Sequence, residues 1–126
     1  MLKQLAYLFF IPFLVNLVSG EVQQEAEKRI FENVQVEGKA GNYKVKGEAS
    51  TKEGKLFYTV EDGHYQYIDE TVLSLSKKYP DMASFAINIK LPPEKLSKNA
   101  TLMLHLYEKD EKGRIIHSYP VVLEQK

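Results

Sequence analysis

Four stretches of this 126-residue chain alternate apolar and polar side chains with a period of two, and that pattern constrains its fold more than any other feature. Tyr43, Val45, Gly47 and Ala49 fall on one side of an extended backbone, and Lys44, Lys46 and Glu48 fall on the other. Leu56, Tyr58 and Val60 alternate in the same way with Phe57, Thr59 and Glu61, as do Phe85, Ile87 and Ile89 with Ala86, Asn88 and Lys90. Leu102, Leu104 and Leu106 alternate with Met103, His105 and Tyr107. Each stretch therefore predicts a half-buried strand, and the first-named set of each predicts the core.

The remaining strand expectations follow from β-branched and aromatic content between Gly, Pro, Asn and Asp breaks. Segments are expected at Phe31 to Val36, Asn42 to Ala49, Lys55 to Glu61, Tyr65 to Asp69, Thr71 to Leu75, Ser84 to Lys90 and Thr101 to Tyr107, with Arg114 to Glu124 as an eighth. Tyr65 to Leu75 also reads as one bent strand, giving about seven. Asp62-Gly63 predicts a tight hairpin, and Lys109 to Arg114, with Gly113 near its end, predicts another. Leu91 to Asn99 contains Pro92 and Pro93, which cannot donate to a ladder, so this segment is expected to cross from one sheet to the other. The expected fold is all-β, an immunoglobulin-like antiparallel β-sandwich spanning residues 30–126.

Residues 1–20 read as a secretory signal peptide. Lys3 supplies the positive start, Leu5 to Val18 is an apolar run of 14 broken by Pro12 and Asn16, and Val18-Ser19-Gly20 offers a cleavage site. A helix crossing a bilayer needs about 20 apolar residues, so membrane attachment is expected only if the signal stays uncleaved. Residues 21–29, with Gln23, Gln24, Glu25, Glu27, Lys28 and Arg29, read as a polar spacer. The mature protein is thus expected outside the cytoplasm, extracellular or on the cell surface or envelope.

Cys is absent, which excludes disulfides, thiol chemistry, Cys-based zinc sites and a lipid-anchored N-terminus. An exported chain without Cys favours a bacterial source, and a Gram-positive one. After Gly20 there are sixteen Lys and Arg against seventeen Asp and Glu, because Lys3 is the one charged residue before it. With both signs interspersed, no attraction to nucleic acid is implied.

A serine–histidine–carboxylate site would have to use His64, His105 or His117, and none lies in a recognisable motif. His64 is expected at an exposed turn tip, and cross-strand pairing accounts for His105 and His117. Glu61, Asp62 and His64 supply three metal-ligand types within four residues, but their spacing matches no established site. No catalytic residue, metal or cofactor is expected. Tyr58, Tyr65 and Tyr67, together with His64, cluster around the Asp62-Gly63 hairpin and form the candidate partner-binding surface. Packing against neighbouring strands explains the same tyrosines without a partner. Asn99-Ala100-Thr101 fits a glycosylation pattern and is read as a chance occurrence.

Val45-Lys46-Gly47-Glu48-Ala49 and the run from Leu104 through Tyr107-Glu108-Lys109-Asp110-Glu111-Lys112-Gly113 to Arg114 carry a resemblance. With Val60-Glu61-Asp62-Gly63 and Phe85 between them, the order of elements over roughly 43–123 resembles the immunoglobulin-like domain associated with bacterial spore-germination and sporulation proteins. Thr51-Lys52-Glu53-Gly54 stands where that family usually has a Phe-Glu pair, and the Trp often found before its aromatic strand is absent. The resemblance implies a non-catalytic, extracytoplasmic protein and offers no catalytic residues to transfer.

The expected function is a secreted or surface non-catalytic module that binds a protein or a cell-envelope polymer. The alternative is a secreted inhibitor of an extracellular protease, acting through residues 91–99. A third reading, a hydrolase using His64 with Asp62, would require a concave pocket and a nucleophile.

Overall fold

The computed structural model describes residues 30–125, so the expected signal peptide and spacer, and Lys126, lie outside the described residues. Seven strands form: β1 (Phe31–Lys39), β2 (Asn42–Ala49), β3 (Lys55–Glu61), β4 (Gln66–Ser74), β5 (Ala83–Lys90), β6 (Leu102–Lys109) and β7 (Ile115–Glu124). A 3-10 turn, Pro93–Lys95, interrupts the crossover between β5 and β6. All pairings are antiparallel, in a three-stranded sheet β1-β2-β5 and a four-stranded sheet β4-β3-β6-β7. The expected β-sandwich of about seven strands is therefore observed. β4 sits beside β3, whereas in a constant-type immunoglobulin domain the fourth strand joins the other sheet. Among the described residues no helix is long and apolar enough to cross a membrane.

The alternating faces meet in one core. Val45, Leu56, Val60, Ile89, Leu104 and Leu106 are fully buried, and Phe31, Tyr43, Phe85, Ile87, Leu102, Val121 and Leu123 close around them. Burial of these apolar side chains is the main stabilising contribution, each worth roughly 1.5–3 kcal/mol. Gly47 belongs to this inner face because its partner across the ladder is Phe85, whose ring would lie 2.9 Å from a Cβ at that position. Gly47→Ala is expected to push the ring aside and destabilise the domain by about 1–2 kcal/mol, measurable by urea unfolding.

Several boundaries differ from the sequence expectation: β5 begins one residue earlier, at Ala83, and β6 runs from Leu102 to Lys109 rather than from Thr101 to Tyr107. β1 runs three residues past Val36 to Lys39, and Ala40-Gly41 turns directly into β2 with Lys39 opposite Asn42. Ala40 has φ 53° and Gly41 φ 94°, the left-handed pair of a type I′ hairpin, and an alanine there gives no turn signal in the sequence. Exchanging Ala40 for Asn, which tolerates this conformation, should stabilise the domain by about 0.5–1 kcal/mol in the same assay. Where Tyr65 to Leu75 reads as one bent strand, Gln66–Ser74 form the single strand β4, with register shifts opposite Tyr58, Val60 and Glu61 absorbing the bend. The last strand begins at Ile115, after Asp110 has capped the turn by accepting from the backbone N–H groups of Lys112 and Arg114.

The crossover at 91–99 passes between the sheets as expected. Leu91 is buried and its N–H donates to the carbonyl of Gly41, and Ser97 is held at the other end by Asp62.

Candidate functional site

The β3–β4 hairpin is organised by one carboxylate. Asp62 Oδ1 accepts from the N–H groups of His64 and Tyr65, both at 2.8 Å, and Oδ2 accepts from the Tyr67 hydroxyl at 2.6 Å and from Ser97 Oγ at 2.8 Å. Four donors, the Tyr67 hydroxyl foremost, hold the Asp62 carboxyl far below the usual range, and the same bond raises the Tyr67 phenol. Asp62 is thus bound to backbone, Tyr67 and Ser97. It contacts His64 through the backbone N–H, so the His64–Asp62 pairing of the hydrolase reading is not formed through the ring.

The sequence candidates separate. His64 and Tyr65 are exposed at the tip, Tyr65 at 66%, and the Tyr65 and Tyr67 rings lie 6.4 Å apart between centroids. Tyr67 is half-buried against the core. Tyr58 shares the phase of Leu56 and Val60 and packs against the core, because the strand alternation turns it inward. Among the described residues no group of three or more His, Asp or Glu side chains is placed to hold a metal ion.

A second surface, which the sequence reading missed, lies on the outer face of the four-stranded sheet. Phe57 of β3 and Tyr107 of β6 are cross-strand partners, and their rings stack with centroids 5.9 Å apart. Lys109 Nζ lies 4.9 Å from the centre of the Phe57 ring. Glu70 of β4 accepts from the Tyr107 hydroxyl at 2.6 Å and pairs with Lys109 at 2.5 Å. Lys109, then Tyr107, holds the Glu70 carboxyl low. Burial, then the bond to Glu70, pushes the Tyr107 phenol up.

On the same face Glu61 and His105 approach to 2.7 Å across β3 and β6, and this bond lowers the Glu61 carboxyl. On the outer strands Val72, at 54% exposure, lies opposite Phe57, and Val122, at 49%, lies opposite the half-buried Met103, four residues along β6 from Tyr107. The opposite sheet presents Gln35, Glu37, Lys44, Lys46, Asn88 and Lys90 at the corresponding positions. The signal for the aromatic centre was present in the sequence as Phe57 and Tyr107 on the supposedly polar phases of two strands, but their register across the sheet was not.

Residues 25–114 match the family model described as the immunoglobulin-like domain of bacterial spore germination, Gmad2. The chain belongs to that family. The match covers well over half of the chain, reaching from before β1 through the turn that follows β6. It bears out the resemblance drawn from Gly47-Glu48-Ala49 and from Tyr107 to Gly113. In this Gmad2 domain β7 lies beyond the matched residues and completes the four-stranded sheet. No curated protein and no solved structure gives a significant match.

Proposed function

We propose that this Gmad2 domain is an exported, non-catalytic binding module of the cell or spore envelope, which docks a protein partner through the outer face of its four-stranded sheet. One observation carries the reading: the two sheets share a core but expose different outer faces. The three-stranded sheet is polar outward, whereas the four-stranded sheet holds a stacked Phe57–Tyr107 pair with exposed Val72 beside Phe57 and exposed Val122 further along the same face, opposite Met103, together with the Glu61–His105 and Glu70–Lys109 pairs. An aromatic centre with apolar flanks and a charged rim is the composition of a protein-binding patch. The export signal read over residues 1–20 supports a position outside the cytoplasm. Family membership supports a role in sporulation or germination.

The inhibitor reading has weaker support. A protease cleft takes an extended loop, but Pro93–Lys95 is wound into a 3-10 turn and Ser97 is bound to Asp62.

The test places a photocrosslinking residue at Val72 or at Lys46 in the full chain within the producing cells. Adducts of defined mass from Val72 and none from Lys46 are the expected result, with the mature N-terminus at Glu21 in the envelope or spore fraction. Equal adducts from both faces would remove the docking face, and a full-length cytoplasmic protein would remove export.

A further inference from the structure

At the end of the sandwich where the β2–β3, β4–β5 and β6–β7 connections converge, a pocket of about 270 Å³ opens between Ile30, ahead of β1, and Ile116 and His117 of β7. Its walls are mainly apolar, from Ile30, Ile116 and the Tyr79 ring. Its polar groups come from three separate parts of the chain. Glu108 is 2% exposed, and its Oε2 accepts from the Lys52 N–H at 2.7 Å while its Oε1 lies 3.0 Å from His117 Nδ1. Ser50 also lines the pocket, and its buried hydroxyl is the one side-chain polar atom without a hydrogen-bond partner among the buried described residues.

A buried hydroxyl left unpaired costs roughly 1–3 kcal/mol, so Ser50 Oγ favours a hydrogen-bonding partner at the pocket. We infer that this pocket is a binding site for a small amphiphile, one ring or a short branched chain bearing an alcohol or primary amine group. The size sets the body, because 270 Å³ is at the lower end of ligand pockets and well above the cavity that holds a benzene ring. Hydrogen-bond chemistry sets the head. A carboxylate oxygen only accepts, so His117 Nδ1 is the donor to Glu108. Glu108 takes only donors, and Ser50 can take either role. A carboxylate-headed ligand would place its charge against Glu108 and is disfavoured.

No hydrogen bond joins Ser50 to His117, so the nucleophile–base contact of acyl transfer is missing and the site is one of binding. The inference is independent of the docking face, which lies on the outer surface of the four-stranded sheet.

The experiment is an amide-shift NMR titration of the isotope-labelled protein, in the form that the cell produces, with benzyl alcohol, benzylamine and benzoate. Benzyl alcohol and benzylamine are expected to give saturable shifts at Ser50, Lys52, Tyr79 and His117, and benzoate is expected to give none. Ser50→Ala should weaken binding roughly fivefold, the worth of one hydrogen bond. Ile116→Arg, at an exposed wall position, should abolish binding while the spectrum stays dispersed. Absence of saturable shifts, equal response to benzoate, or unchanged affinity in Ser50→Ala with a folded spectrum would overturn the site.

Discussion

Replacing Asp62 with Ala is expected to cost the domain about 3 kcal/mol in urea unfolding, a large effect for a loop residue. The carboxylate accepts four hydrogen bonds, and their loss releases two backbone N–H groups of the hairpin, the Tyr67 hydroxyl and the tie from Ser97 to the β5–β6 crossover. Asp62→Asn retains one acceptor oxygen in the same shape and should cost about half as much. The pH dependence separates this explanation from simple loss of packing. The folded-state value of Asp62 lies below its unfolded value of about 3.9, so the stability it contributes is complete above that pH and is lost as pH falls below it. Stability measured from pH 5 downward should therefore fall more steeply in the wild type than in Asp62→Ala. Parallel curves would show that Asp62 is not held as a low-lying carboxylate.

The second large effect separates the core from the proposed docking face. Leu104→Ala should destabilise by about 3 kcal/mol, because a fully buried leucine at the centre of β6 leaves a cavity between two sheets that cannot close over it. Val72→Ser and Val122→Ser, on the outer face of the same sheet, should each lie within about 0.5 kcal/mol of the wild type. The paired measurement is informative because a Val exposed on an outer strand contributes little to folding and so needs another explanation. If, with the photocrosslinking residue at Thr59 of the same face, the double variant Val72→Ser/Val122→Ser keeps wild-type stability and loses the adduct that the chain with Val72 and Val122 gives, the face serves a partner. A loss of several kcal/mol instead would show that these side chains serve the fold.

Family membership and stability meet at Gly47-Glu48-Ala49. The resemblance was drawn from this segment, and its physical reason is the Phe85 ring lying over Gly47 while Ala49 is fully buried opposite Ala83. Glu48, on the opposite phase, accepts from Asn33 at 2.7 Å and steadies the β1 irregularity, where Asn33 has φ 54°. The three positions thus perform packing and register functions, which accounts for a recognisable pattern without any catalytic group in it.

The inward phases of β2, β3, β5 and β6, the sandwich class and the crossover at 91–99 were legible in the amino-acid sequence alone. Period-two alternation and proline placement are local properties that a strand carries wherever it pairs. The Gly63 and Gly113 turns were legible for the same reason, since positive φ at each is a demand of the local backbone. Tertiary structure alone decided the rest. It placed β4 beside β3, turned the hairpin at Ala40-Gly41, and brought Glu124 of β7 within 2.6 Å of the Tyr43 hydroxyl, 81 residues away in sequence. Packing likewise sent Tyr58 into the core and left Tyr65 in solvent, although both had been grouped by nearness to one turn. The Phe57–Tyr107 stack, the Asp62–Ser97 tie and the pocket around Ser50 and Glu108 each join residues at least 35 positions apart. Their geometry depends on strand register and sheet order, which no local pattern encodes.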